Sequence, residues 1–120
     1  MDDTGNMLAF LESLIPPAPN EVSKKMAADF RKRRIEKGLT REAIALQSGV
    51  AIANVSRFEQ KGLISLTNLI KLATALGYLS ELQNVFSAPK YSTMDELLQI
   101  RRNMGKKKAH TAKPKKNEKD

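Results

Sequence analysis

Apolar residues in this chain recur at helical spacing, and no segment alternates as a strand would. Met7, Leu8, Phe10, Leu11, Leu14 and Ile15 fall at i, i+1, i+3, i+4, i+7 and i+8, one stripe on a short amphipathic helix. Pro16-Pro17-Ala18-Pro19 stops that helix and predicts a stiff extended linker. Such an arm packs either on its own domain or on a second subunit or another protein. A main domain begins near Asn20. Its first helix is capped by Ser23, turns Met26, Ala27, Phe30 and Ile35 inward and stops at Gly38. Thr40 caps a second helix that buries Ala43, Ile44 and Leu46. A third runs from about Ala51 to Gln60 with Val55 and Phe58 inward, ending before Gly62. Ser65 caps a fourth, with Leu66, Leu69, Ile70, Leu72, Ala73 and Leu76 apolar and Gly77 as its stop. A fifth follows Ser80, with Leu82, Val85 and Phe86 inward. Thr93-x-x-Glu96 fits a capping box opening a last helix. From Gly105 the sequence is Lys-rich, without an apolar residue larger than Ala, and predicts disorder. The expected divisions are an arm (1–20), a main domain (21–88), a helical extension (89–104) and a basic tail (105–120).

The second and third helices, hinged at Gly49, leave Ile52, Ala53, Asn54, Ser56 and Arg57 facing outward. That is the layout of a helix-turn-helix, whose second helix enters a DNA major groove. The chemistry on offer suits the task. Arg57 can donate two hydrogen bonds to guanine O6 and N7, and Asn54 has the amide for adenine N6 and N7. Ile52 and Ala53 offer apolar contact to thymine methyls. Arg57 as a phosphate contact and Asn54 as a solvated helix residue are the alternatives. Thr40, Arg41, Ser56, Lys61, Thr67 and Asn68 sit at helix N-termini or loops where such a fold meets phosphates.

From about Phe30 to Gly77 the chain resembles the Xre/Cro/CI-type helix-turn-helix regulators. The matching residues are Arg34-x4-Leu39-Thr40-x2-Ala43-Ile44-Ala45, Gly49-Val50, Val55-Ser56-Arg57-Phe58-Glu59-x2-Gly62 and Leu69-x2-Leu72-Ala73-x2-Leu76-Gly77. The resemblance implies an all-α, five-helix lambda-repressor-like domain with the arm, the C-terminal helix and the tail appended. It also implies an ion pair between Arg34 and Glu59, a homodimer and a palindromic double-stranded DNA operator. Ala51 departs from the pattern, since Ser or Thr usually caps the recognition helix. The longer pattern of Leu63-Ile64-Ser65-Leu66, Leu76-Gly77-Tyr78-Leu79 and Phe86-x2-Pro89-x-Tyr91-x2-Met94-Asp95-Glu96-Leu97-Leu98 resembles HipB-like antitoxins. That second resemblance implies an autoregulating repressor that binds HipA-like kinase toxin components. The dimer seam would involve Leu79, Leu82, Val85 and Phe86, with Phe86 expected in the core instead.

Composition narrows the rest. Net charge is +8, and residues from Gly105 onward hold seven Lys against Glu118 and Asp120, so the body is only mildly basic. The tail adds nonspecific DNA contact, docks an acidic partner or confers only solubility. Arg31-Lys32-Arg33-Arg34 spreads around a helix and reads as a solvated face, with Arg34 reserved for Glu59. There is no Cys, and His110 is the sole His, so neither a disulfide scaffold nor a Cys- or His-ligated metal site is expected. No catalytic constellation, P-loop or dinucleotide motif is present, and no cofactor is expected. Asp95 and Glu96 face different sides of their helix, which makes them a poor carboxylate pair. The start, Met1-Asp2-Asp3, is acidic where a secretory signal is basic, and no apolar run suits a membrane. A bacterial cytoplasmic, nucleoid-associated location is the expectation. The rival class is an adaptor that uses its arms to neutralise or scaffold a partner, with little specific DNA binding.

Overall fold

The computed structural model describes the backbone of residues 3–119 and, within it, the side chains of residues 5–106. Seven helices, α1 (Asp3–Ser13), α2 (Pro19–Glu36), α3 (Arg41–Ser48), α4 (Ile52–Lys61), α5 (Leu66–Leu76), α6 (Leu79–Gln83) and α7 (Met94–Lys119), follow in order, with no strand among the described residues. The chain divides into two units after Leu82.

The core of the first unit is set by α2 against α4 and by α3 against α4 and α5. Ile44, Val55 and Leu72, one from each of three helices, are completely enclosed. Phe30 and Phe58 meet as a tilted pair with ring centroids 5.4 Å apart. Ala27, Val50 and Leu76 complete this centre.

Local chemistry explains most helix ends. Thr40 Oγ1 accepts from the Ala43 amide at 3.0 Å, and Ser65 Oγ accepts from the Asn68 amide at 3.1 Å. Gly49 ends α3 in the left-handed region, and its amide donates to the Ala45 carbonyl at 2.9 Å. Gly62 ends α4 at φ +71° and also lies against α2, where an added Cβ would stand 3.1 Å from Lys24 N and Ser23 C. At the head of α7, Thr93 Oγ1 accepts from the Glu96 amide at 3.1 Å. Glu96 reaches back to the Ser92 amide at 2.6 Å, one residue earlier than a standard capping box. That amide, with the Ser92 hydroxyl, holds the Glu96 carboxyl below its ordinary pKa.

Several expectations are corrected. Ser23 is no cap, since α2 begins a turn earlier with Pro19 at its first position. The Glu21 carboxylate accepts from the Ala18 amide at 3.0 Å, and the Ser23 hydroxyl donates to the Asn20 carbonyl. Met26 and Ile35 are largely exposed, because the inward direction of α2 runs through Ala27, Phe30 and Arg34. Leu46 is 86% exposed. It lies two residues past Ile44, about 200° around α3, and so faces away from the core. Ala43 is only half-buried. Leu66, Ile70 and Val85 are exposed, and Phe86, expected in the core, is 95% exposed. α6 ends at Gln83, so Val85 and Phe86 lie in a turn with no helix to set their face. The backbone past Gly105 is helical to Lys119, with Pro114 inside the helix, where composition predicts disorder. The readings placed on His110 and on the tail side chains beyond Lys106 lie outside the described side chains, as does the acidic Met1-Asp2-Asp3 start.

Candidate nucleic-acid interface

The site is built on a buried charge cluster between α2, α3 and α4. Glu59 has no exposed side-chain surface. Arg34 grips it with two bonds, Nε at 2.6 Å and Nη2 at 3.0 Å, and spends Nη1 on the Leu39 carbonyl at 2.7 Å. Burial pushes the Glu59 carboxyl up, but hydrogen bonds and charge from Arg34 and Arg41 outweigh burial and hold it below the usual carboxylate range. The Arg34 guanidinium is raised by the same pairing. The expected Arg34–Glu59 pair is therefore present.

Arg41 joins this cluster, which the sequence did not announce. Its Nε donates to Glu59 Oε1 at 3.0 Å, and its side chain remains 31% exposed. Arg31 Nε stands 4.0 Å from the same oxygen. Three guanidiniums thus surround one carboxylate at the head of α3, leaving a local excess of positive charge. Of the rest of the basic run, Arg33 pairs with Glu36 at 3.0 Å and Lys32 is solvated.

Helix α4 carries the outward residues. Ile52, Ala53, Asn54 and Arg57 are exposed, while Ser56 is half-buried. Ala51 occupies the cap position in extended geometry with no side-chain cap bond, so the missing cap is not supplied by a shifted helix start. Arg57 takes part in none of the ion pairs among the described residues, which use Lys25, Arg31, Arg33, Arg34 and Arg41. One turn apart, Asn54 and Arg57 face a cleft of about 390 Å³ shared with Leu63, Ile64, Ser65 and Asn68. Beside this cleft stands the N-terminus of α5, where the first-turn amides favour anions. Thr67 is exposed there, and Lys61 is exposed at the end of α4.

The structure therefore brings Asn54, Arg57 and Asn68 together, sets Thr40 and Arg41 at the head of α3, and leaves Ile52 and Ala53 on the open face of α4. Leu63 and Ile64 were not singled out for the site by sequence. They follow Gly62, which closes α4 in the left-handed region against α2, and they line the cleft beside Asn54 and Arg57. Among the described residues no group of three His, Asp or Glu is placed to hold a metal ion, and no helix is long and apolar enough to cross a membrane.

Residues 30–82 match the protein-family model described as Helix-turn-helix. The matched segment opens at Phe30 in α2 and closes at Leu82, where the first unit ends. No curated protein matches the chain.

Proposed function

Starting from a chain that carries an Xre-type helix-turn-helix domain, the DNA-binding module of regulators, we propose that it is a sequence-specific transcriptional repressor that binds a palindromic operator as a homodimer. The observation that carries this reading is the convergence of exposed Asn54 and Arg57 with Asn68 at one cleft beside the head of α5. Arg57 reads guanine, Asn54 reads adenine, and Ile52 and Ala53 touch thymine methyls. Thr40, Arg41, Ser56, Lys61, Thr67 and Asn68 bind backbone phosphates and set the register. Two such helices in one dimer enter major grooves about 34 Å apart.

Fluorescence anisotropy tests the proposal, with DNA from upstream of the protein's own gene set against scrambled DNA at physiological salt. The expected preference is about a thousandfold or more, falling steeply with salt and lost in Arg57→Ala. Equal, weak binding to both fragments would assign the affinity to charge alone.

A narrower form of the reading is an antitoxin that represses its own operon and binds a HipA-like kinase. It rests on the resemblance of the segment from Leu63 to Leu98 to HipB-like proteins. The adaptor reading gains support from the exposed side chains of α1 and from exposed Tyr91, Met94 and Leu98. Co-purification with a kinase encoded beside the gene, in the presence and absence of operator DNA, separates these two.

A further inference from the structure

The Glu59 cluster holds more positive charge than the fold needs. Arg34 alone balances the buried carboxylate, and all three of its guanidinium nitrogens are engaged, two with Glu59 and one with the Leu39 carbonyl. Arg41 and Arg31 come in addition. Glu59 Oε1 already accepts from Arg34 Nη2 and from Arg41 Nε, each at 3.0 Å, which fills its two lone pairs. Arg31 Nε stops at 4.0 Å from the same oxygen, beyond hydrogen-bond distance.

Donors are left over. Among the described residues, Arg31 makes no hydrogen bond, and Arg41 makes one, through Nε, so its two terminal nitrogens have no partner. The Arg31 side chain is 57% exposed and that of Arg41 31%, so water or a ligand reaches both. Arg31 lies one turn before Arg34 on α2, and Arg41 opens α3. The crossing of the helices thus brings two open guanidinium forks, from separate elements, to one carboxylate oxygen.

No acidic neighbour uses these donors. On α2, Asp29 pairs with Lys25 and Glu36 with Arg33, while Glu21 accepts from the Ala18 amide. Glu42, next to Arg41, is exposed and enters no ion pair among the described residues. Counted with Glu59 it still leaves three arginines facing two carboxylates, so the point stays positive.

A phosphate group matches what is left over. Its oxygens fit the planar donor fork of arginine, and its charge offsets the excess. In a helix-turn-helix the first helix crosses the DNA backbone while the second enters the groove. Arg41 is the first residue of that first helix, and Arg31 shares its carboxylate oxygen. We propose that Arg31 and Arg41 together clamp one backbone phosphate of duplex DNA, which makes Arg31 a DNA contact and not part of a solvated face. The proposal rests on the helix-turn-helix reading of α3 and α4, and it adds a contact from α2, outside both.

The test measures binding of the full chain to DNA from upstream of its own gene and to scrambled DNA, across a range of salt. Arg31→Ala should weaken binding to both fragments by the same factor, about tenfold, because a phosphate carries no sequence. Arg31→Ala combined with Arg41→Ala should lower the slope of log affinity against log salt by about one, the change for one phosphate. Far-UV circular dichroism and the urea midpoint of Arg31→Ala should match the wild type. The clamp is overturned if Arg31→Ala binds both fragments like the wild type, or if it weakens only one of them. A slope change of about two in the double variant overturns it as well, since the arginines then hold separate phosphates. Equal wild-type affinity for the two fragments would sink the repressor reading alone, because a uniform loss in Arg31→Ala would still support the clamp.

Discussion

Glu59→Ala tests the charge cluster most sharply. The substitution removes two of the three hydrogen bonds of Arg34 and the one from Arg41. Arg41, 31% exposed, returns to water at little cost. Arg34 cannot, because its side chain is 8% exposed and its remaining bond, to the Leu39 carbonyl, carries no formal charge. An unpaired buried cation costs about 3–5 kcal/mol, set against the roughly 5–15 kcal/mol that holds a domain folded. Urea unfolding followed by far-UV circular dichroism at neutral pH measures the difference. Replacing both partners, as Arg34→Met with Glu59→Leu, should recover most of the loss, since no buried charge is then left unpaired. Acidification gives a second readout with a definite sign. The folded pKa of Glu59 is lowered, so its contribution is fully present above the ordinary carboxylate range near 4.3. That contribution is lost as pH falls through the lower folded value. The gap between wild type and Glu59→Ala should therefore narrow below about pH 4. A loss under about 1 kcal/mol at neutral pH, or a gap that stays constant on acidification, would refute the claim that this pair anchors the domain.

Three further outcomes are expected. Gly62→Ala should destabilise the domain by more than the roughly 1 kcal/mol of a left-handed residue, because its Cβ also meets α2 backbone at 3.1 Å; thermal melting checks this. Ala51→Ser should stabilise by about 1 kcal/mol, since Ala51 already has the extended geometry that lets a hydroxyl cap α4; chemical denaturation measures the gain. Ile44→Ala should cost about 2–5 kcal/mol and Leu46→Ala less than about 0.5 kcal/mol in the same assay, although both residues are aliphatic and two positions apart on α3.

The caps and stops were legible because they are short-range. Thr40 meets the Ala43 amide and Ser65 the Asn68 amide three residues away, and glycines close α3, α4 and α5 by local backbone conformation. The outward set on α4 was legible because Val55 and Phe58, one turn apart, define its inner face. Each residue advances a helix by 100°, so a pattern with several apolar candidates leaves the buried face ambiguous. Contact with α4 and α5 chose Ile44 over Leu46, and contact with α4 chose Arg34 over Ile35. The Arg34–Glu59 pair, 25 residues apart, came from family resemblance and not from spacing. The Arg41 bond to the same carboxylate needed the crossing of α3 and α4 to become visible. Sequence alone thus determined the caps of α3 and α5, the glycine stops of α3, α4 and α5, and which residue types α4 exposes. Tertiary structure decided which apolar residues are core, which arginines are committed, and that Leu63 and Ile64 border the cleft of Asn54 and Arg57. Those three depend on distances between helices, which no local pattern encodes.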